Sequence, residues 1–249
     1  VKIATWNVNG IRARHAELDA WAAAEKPDVI CLQEIKASPA QLPGLLADLE
    51  GYWCHWHGDK GYSGVAILVS ERLAADRPVF VHPPFAFESR MVTVDLGDML
   101  LASVYVPNGG KDYPAKLEFL TALDGFAASV AGSGKALVIC GDLNVARSEM
   151  DVHPKERKPN QIGTRSEERD LLERIIGRGL VDTGRAVDPD NANLFTWWAP
   201  WRNLKQRNIG WRIDYVLAAE SLHRRTVSCL VQREVGTSDH GPVIWSLAP

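Results

Sequence analysis

Cysteine is scarce and scattered in this chain of 249 residues: Cys31, Cys54, Cys140 and Cys229 are its only four, and no pair has CxxC spacing. That argues against a zinc ribbon or a disulfide framework, leaves all four as packing residues and fits a reducing cytoplasm. Long hydrophobic runs are missing as well. Nothing approaches the roughly 20 residues that cross a bilayer, so no membrane partner is expected. The N-terminal VKIATWNVNG enters a strand-like pattern at once, without a secretory h-region, and a cytoplasmic location is expected. Positive charge is not in excess. A formal net charge of −3 argues against a uniformly basic, DNA-coating surface but leaves room for a local basic groove. Low-complexity linkers, charge blocks and internal repeats are absent too, so residues 1–249 read as one α/β domain.

What is present is an ordinary globular balance, with 46% apolar residues. Short runs rich in Val, Ile and Leu recur at strand length: KIATWN, DVICLQE, GVAILVS, LLASVYV, ALVICGD, RIDYVL and PVIWSL. Helical spacing lies between them. Residues 15–25 put Leu18, Trp21 and Ala22 on one face, and 114–128 repeat Leu117, Leu120, Leu123 and Phe126. A third helix starts near Ser166 and carries Leu171, Leu172, Ile175 and Ile176, with Thr164 and Glu167 as its capping box and Gly177 and Gly179 as its stop. Residues 143–165 and 198–210 lack periodicity, and long irregular loops inside a compact domain tend to be functional.

Polar residues gather at the carboxyl ends of the apolar runs. Asn7, Glu34, Tyr105, Asp142 and Asn144 sit there, and Asp239-His240 precedes the last strand. Asp214 lies inside an apolar run, where an unpaired carboxylate is costly to bury. Alternation along a strand sends Asp142 and Asn144 to one side, and likewise Asn7 and Asn9. If these ends converge, hard oxygen ligands without thiolates favour Mg2+, with Mn2+ substituting, over zinc. Such a set supplies what phosphodiester hydrolysis needs: a positioned water, donors to the phosphoryl oxygens and stabilisation of the leaving alkoxide. Each residue alone has a plainer explanation. Asp142 in GDLN could form an Asx-turn, Tyr105 could pack in the core, and Gly61-Tyr62-Ser63-Gly64 could be a hairpin turn.

In order, WNVNGIRA (6–13), LQEIK (32–36), GYSGVAI (61–67), YVPNGG (105–110), GDLNVA (141–146), WRIDYVL (211–217) and SDHGPV (238–243) resemble the motif set of the exonuclease III/AP endonuclease family. That family belongs to the endonuclease–exonuclease–phosphatase superfamily. The resemblance implies a four-layer, deoxyribonuclease I-like α/β sandwich, two mixed β-sheets face to face with helices outside. It makes Glu34 the principal metal ligand, with Asn7 and Asp239 near the ion. Asp142 orients or deprotonates the attacking water. Asn144 and Tyr105 hold the phosphate, and His240, oriented by Asp214, donates to it. Asn9 stands where several members carry Asp.

The resemblance further implies that Trp197 and Trp211 line a pocket for an extruded abasic deoxyribose, and that Trp201 is a wedge entering the duplex. Arg202, Asn108, Lys111, Tyr62 and Asn160 are further DNA-contact candidates. The basic stretch with Arg202, Lys205, Arg207 and Arg212, which also holds Trp198, and the stretch with Lys155, Arg157, Lys158 and Arg165 are candidate phosphate binders. The expected partner is double-stranded DNA with abasic sites or blocked 3′ ends, and the expected state a monomer. A secreted nuclease, a phosphoinositide phosphatase or a sphingomyelinase shares the core motifs. A non-catalytic binding protein is disfavoured because the acidic residues and His240 are all present.

Overall fold

The computed structural model describes residues 1–42 and 49–248. Among the described residues, twelve strands form two sheets of six. In the first, β1 (Lys2–Asn7) runs parallel to β2 (Val29–Gln33) and antiparallel to β12 (Val243–Leu247). Next to β2 lies β4 (Tyr62–Ser70), and β3 (Tyr52–Asp59) and β11 (Thr226–Val231) are the edges. In the second, β8 (Leu137–Asp142) is parallel to β7 (Leu100–Tyr105) and antiparallel to β10 (Asp214–Ala219). Beyond β7 come β6 (Met91–Asp95) and the edge strand β5 (Phe80–Val81), and β9 (Leu180–Asp182) forms the other edge.

Both faces of the central strands are buried, which is why they read as nearly continuous apolar runs. Ile3, Val29, Cys31, Val65 and Ile67 of the first sheet pack on Val92, Leu101, Val138, Cys140 and Val216 of the second. The alternate residues point outward. Ala4, Ile30, Leu32 and Leu68 meet Leu18, Trp21 and Ala22 of α1 (Ile11–Glu25). Ala102, Val104, Ile139 and Leu217 meet Phe119, Leu120 and Leu123 of α2 (Tyr113–Gly132) and Leu172 and Ile175 of α3 (Ser166–Ile176). The result is the expected four layers. All four cysteines are buried and free, and no described helix is long and apolar enough to cross a membrane.

Two helix boundaries and one cap differ from the sequence reading for tertiary reasons, while the third helix starts at Ser166 and stops before Gly177 as expected. Helix α1 begins at Ile11, where Gly10 and Ile11 amides donate to the Glu34 and Ile35 carbonyls, so the loop after β2 sets its start. Helix α2 begins at Tyr113, with the Asp112 carboxylate accepting from the Ala115 amide at 3.0 Å. The capping box expected from Thr164 and Glu167 is replaced by Glu168, whose carboxylate accepts from the Gly163 and Arg165 amides. Thr164 instead donates to the Gln161 carbonyl.

Candidate active site

The register puts the chemistry on one rim. On three neighbouring strands Tyr105, Asp142 and Asp214 stand side by side, as Tyr105 pairs with Asp142 and Asp142 with Asp214. On the other sheet Asn7 pairs with Gln33, and Glu34 follows at once. Gly141 lets β8 lie close against β7: a Cβ there would run into the Val104 carbonyl oxygen of that neighbouring strand. Glu34, Lys36 and Asn144 all have positive φ, 49°, 49° and 52°. A non-glycine residue in that region is strained, and strain of this kind concentrates where a side chain must be aimed. Here the Lys36 amide is held by Ser63 O and the Ile35 amide by Gly64 O, which fixes the turn.

Asn7 bridges the two halves. Its Nδ2 donates to Glu34 Oε1 at 3.0 Å and to Asp142 Oδ2 at 2.9 Å. Asp142 Oδ1 accepts from the Asn144 amide at 2.9 Å, and Asn144 Nδ2 donates to Val106 O. The His240 imidazole faces Asp214 through Nδ1, 2.9 Å from Oδ2, and turns Nε2 towards Asp142 Oδ2 at 3.9 Å. Thr196 Oγ1 accepts from the Ile213 and Asp214 amides, both at 3.0 Å, and fixes that carboxylate in turn. Asp239 has one oxygen on Trp197 Nε1 at 2.9 Å and the other on Asn9 Nδ2 at 2.8 Å. Lys36 Nζ lies 2.7 Å from Glu34 Oε2.

Burial strips these groups of water, so their charges act strongly on one another. The Asp142 carboxyl is pushed well above the usual range by burial first, then by Asp214 and Glu34, against the pull of His240 and Asn7. Burial alone would depress His240, but Asp214, with help from Asp142 and Asp239, raises it to about 10. Burial also works against ionised Glu34, but donation from Asn7 and Lys36 brings its carboxyl below the ordinary value. Asp239 likewise ends low, because His240, Trp197 and Asn9 outweigh its burial. Burial, Glu34 and Asp142 keep the Tyr105 phenol protonated as a donor.

One ligand atom each from Glu34, Asp142 and His240 lies within 4.8 Å of the others. Two carboxylates crowded together in a buried site, each disfavouring the other's charge, are a donor set that fits a divalent cation. Asn7 and Asp239 flank this cluster, but both Asp239 oxygens already accept hydrogen bonds.

The cleft around these groups encloses about 360 Å³. Its apolar wall is built from Trp197, Trp211, Ile162 and Ile213, and the two tryptophan rings meet edge to face at 6.0 Å. Gly163 lies directly against the Trp211 ring. Trp211 Nε1 and Gln161 Oε1 are buried without a hydrogen-bond partner among the described residues. Asn108 lines the cleft, whereas Asn160 is exposed outside it and its neighbours Gln161 and Ile162 line the wall. Tyr62 and Lys111 border an adjoining cleft of about 460 Å³ that shares Glu34, Tyr105 and Asn108. Trp201, 58% exposed, and Arg202 border another of about 290 Å³ that shares Asp239.

Part of the basic-loop expectation is overturned. Arg212 is buried and grips Asp182 through two bonds of 2.8 Å and Asp151 through one of 2.6 Å, so it is a core ion pair and not a phosphate binder. Lys205 Nζ donates to the carbonyls of Val235 and Ser238 and pins the loop carrying Asp239 and His240. Trp198 is buried, its Nε1 on Asn208 Oδ1. Arg165 stacks over Tyr113 at 4.3 Å. Arg202, Arg207, Lys155 and Lys158 remain exposed.

Sequence reasoning missed several supporting residues. Lys36 left a weak signal, two places after Glu34, and Thr196 left none. Lys116 left a clear one, a lysine on the apolar stripe of α2 shared with Leu120 and Leu123. Its ammonium is fully buried, paired with Glu168 at 2.5 Å and donating to Asn144 O at 2.7 Å.

Two stacked mixed sheets whose ends bring carboxylates, amides and a His–Asp pair to one rim define a phosphoester-hydrolase class of site. The model of the endonuclease/exonuclease/phosphatase family matches residues 4–240, and the chain belongs to that family. It is 34% identical to the DNA repair nuclease APEX1 of Danio rerio, over 100% of this chain and 82% of that protein. It is 33% identical to an exodeoxyribonuclease of Bacillus subtilis, over 98% of both. Among solved structures, an AP endonuclease from Archaeoglobus fulgidus superposes with a TM-score of 0.86 at 28% identity, over 99% of each chain. The 3′ phosphatase NExo from Neisseria, solved with a product DNA hairpin, superposes with a TM-score of 0.88 at 28% identity, again over 99% of each.

Proposed function

We propose that the protein is a cytoplasmic, monomeric DNA repair AP endonuclease. In this reading it hydrolyses the phosphodiester 5′ to abasic sites in duplex DNA with Mg2+ and also processes blocked 3′ ends. The observation that carries the proposal is the meeting, in one cleft, of Asp142 and His240, the latter backed by buried Asp214, with the walls of Trp197 and Trp211. Mg2+ held at Glu34, with Asp142, Asn7 and Asp239 around it, would supply charge neutralisation for the phosphate and the departing oxygen.

The protein's own groups divide the remaining work. Asp142, its proton affinity raised towards neutrality, is suited to orient a water and take its proton. His240, kept cationic by Asp214, donates from Nε2 to a phosphoryl oxygen, and Asn144 and Tyr105 add neutral donors. The unpartnered Trp211 Nε1 is free to meet an oxygen of an extruded sugar, between aromatic walls that exclude water. The two adjoining clefts, with Lys36 and Lys111 on one side and Arg14 and Arg202 on the other, extend the site into a groove for the DNA backbone. Relatives named for DNA repair and exodeoxyribonuclease activity support this substrate class.

The test is product analysis on abasic, 3′-phosphate and intact-end duplexes, with Mg2+ and then with a chelator. Incision 5′ to the abasic site is expected with Mg2+ and not with chelator, and Asp142→Asn is expected to lower turnover by roughly 100-fold or more. Inositol phosphate or sphingomyelin hydrolysis without incision of abasic DNA would assign the site to another branch of the family.

A further inference from the structure

Three histidines lie together away from the active site and have no part in the chemistry above. His55 and His57 are alternate residues of β3, the edge strand of the first sheet, so both rings lie on the same face. His82 follows β5, the edge strand of the second sheet. The His55 and His82 Nε2 atoms are 2.7 Å apart, and the His57 ring stacks on the His82 ring at 3.7 Å between centroids. Phe80 stacks on His55 at 4.6 Å.

We propose that His55, His57 and His82 form a second metal site, one that takes an imidazole-preferring transition-metal ion such as Ni2+ or Zn2+ and clips the edges of the two sheets together. Two ring nitrogens at 2.7 Å share a single proton between two lone pairs, and a cation is what replaces such a proton. Zinc–nitrogen bonds of about 2.0–2.1 Å in tetrahedral geometry place two ligating nitrogens about 3.3 Å apart, so this pair must open by about half an ångström. His82 is exposed and the other two rings half-buried, which leaves room for that opening and for a swing of His57 out of its stack. The rings are neutral near neutral pH, as ligation requires. Burial, with the neighbouring imidazoles, depresses His55 and His57 to about 4, and burial lowers His82.

The chemistry selects the ion. Three imidazoles offer nitrogen and no oxygen, which suits Ni2+, Zn2+ and Cu2+ and not Mg2+. Arg77 is the charged neighbour, donating to Cys54 O at 2.8 Å with its guanidinium 6.0 Å from the Phe80 ring. Its positive charge works against any cation, so binding here has to come from bonds to the imidazole nitrogens and not from charge.

The experiment is a calorimetric Ni2+ titration of the whole protein in saturating Mg2+, comparing wild type with His82→Ala and His57→Ala, followed by thermal melts with Ni2+ and with chelator. Wild type is expected to bind one equivalent more than either variant, and Ni2+ to raise its melting temperature but not theirs. His82→Ala is expected to keep full Mg2+-dependent phosphodiesterase activity, and its melting temperature in chelator is the baseline against which its lack of response to Ni2+ is read. Equal Ni2+ binding by wild type and His82→Ala, or no Ni2+ binding by wild type, would overturn the proposal.

Discussion

Replacing Asp214 by asparagine keeps the shape of the His240 partner and removes its charge. Holding His240 protonated from its ordinary 6.5 up to about 10 corresponds to roughly 5 kcal/mol in favour of the imidazolium, after burial has been overcome. Asp214 is the nearest carboxylate, 2.9 Å from Nδ1 and buried with it, whereas Asp142 is 3.9 Å from Nε2. Most of that preference is therefore expected to vanish in Asp214→Asn, and unopposed burial should return His240 to the ordinary histidine range or lower. Turnover near neutral pH should then fall by roughly 100- to 10,000-fold, because the phosphate loses a charged donor. The direct assay is a nitrogen-15 NMR titration of the imidazole in chelator, beside the pH–rate profile of abasic-DNA cleavage. The sign for stability follows from the raised value. Protonated His240 supports the fold fully below about 6.5 and loses that support as pH rises through about 10, so wild type should weaken over this window and Asp214→Asn should not. A wild-type His240 that titrates near 6.5, or an Asp214→Asn enzyme with turnover within a few-fold of wild type, would refute the reasoning.

Other perturbations separate the parts of the site. Glu34→Gln should raise the Mg2+ concentration for half-maximal activity by roughly 10- to 100-fold with a smaller effect at saturation, and an unaltered Mg2+ titration would remove Glu34 from the metal site. Trp201→Ala should weaken binding of abasic duplex by about 1–3 kcal/mol while sparing hydrolysis of a small phosphodiester, so unchanged affinity in a gel-shift titration counts against a wedge. Lys116→Met leaves Glu168 buried without its cation and should cost about 3–5 kcal/mol in urea unfolding, with partial recovery on adding Glu168→Gln. A loss below about 1 kcal/mol would mean that water reaches Glu168, as surface pairs behave.

The central strands were legible because two buried faces make near-continuous apolar runs, as in LVICGD of β8 and VICLQ of β2. The edge strands were not. In β3 the run YWCHWHGD interleaves half-buried histidines with its core residues, and β11 leaves Val227 and Leu230 exposed, buries Cys229 and breaks register between Thr226 and Ser228. Strands of two or three residues, such as β5 and β9, exist only through their neighbours. Within the site the reactive carboxylates stood out as polar ends on apolar runs. Arg212 and Lys205 misled because loop composition says nothing about which cation meets a buried partner, here Asp151 and Asp182 for one and backbone carbonyls for the other. Thr196 was invisible for the opposite reason: a lone threonine hydroxyl gains its role only when two distant amides, Ile213 and Asp214, converge on it.

Each sheet carries half of the site, so the site is only as well defined as the placement of one sheet on the other. Glu34 and Asn7 belong to the first sheet, Tyr105, Asp142 and Asp214 to the second. Apolar packing between sheets is non-directional and would tolerate small slides. A buried polar chain just behind the rim supplies the missing direction. Thr5 Oγ1 donates to Gln33 Oε1 at 3.1 Å, Gln33 Nε2 reaches across to Ser103 Oγ at 3.1 Å, and Ser103 donates back to Leu32 O at 3.2 Å. A slide would leave Gln33 Nε2 and Ser103 Oγ, the two donors that cross between the sheets, unsatisfied at about 1–3 kcal/mol apiece, so the chain resists displacement where van der Waals contacts do not. Gln33 directly precedes Glu34, and Ser103 lies two residues before Tyr105. The bridge thus fixes the two halves at the point where Asn7 joins Glu34 to Asp142, and the distances among the carboxylates are a consequence of it.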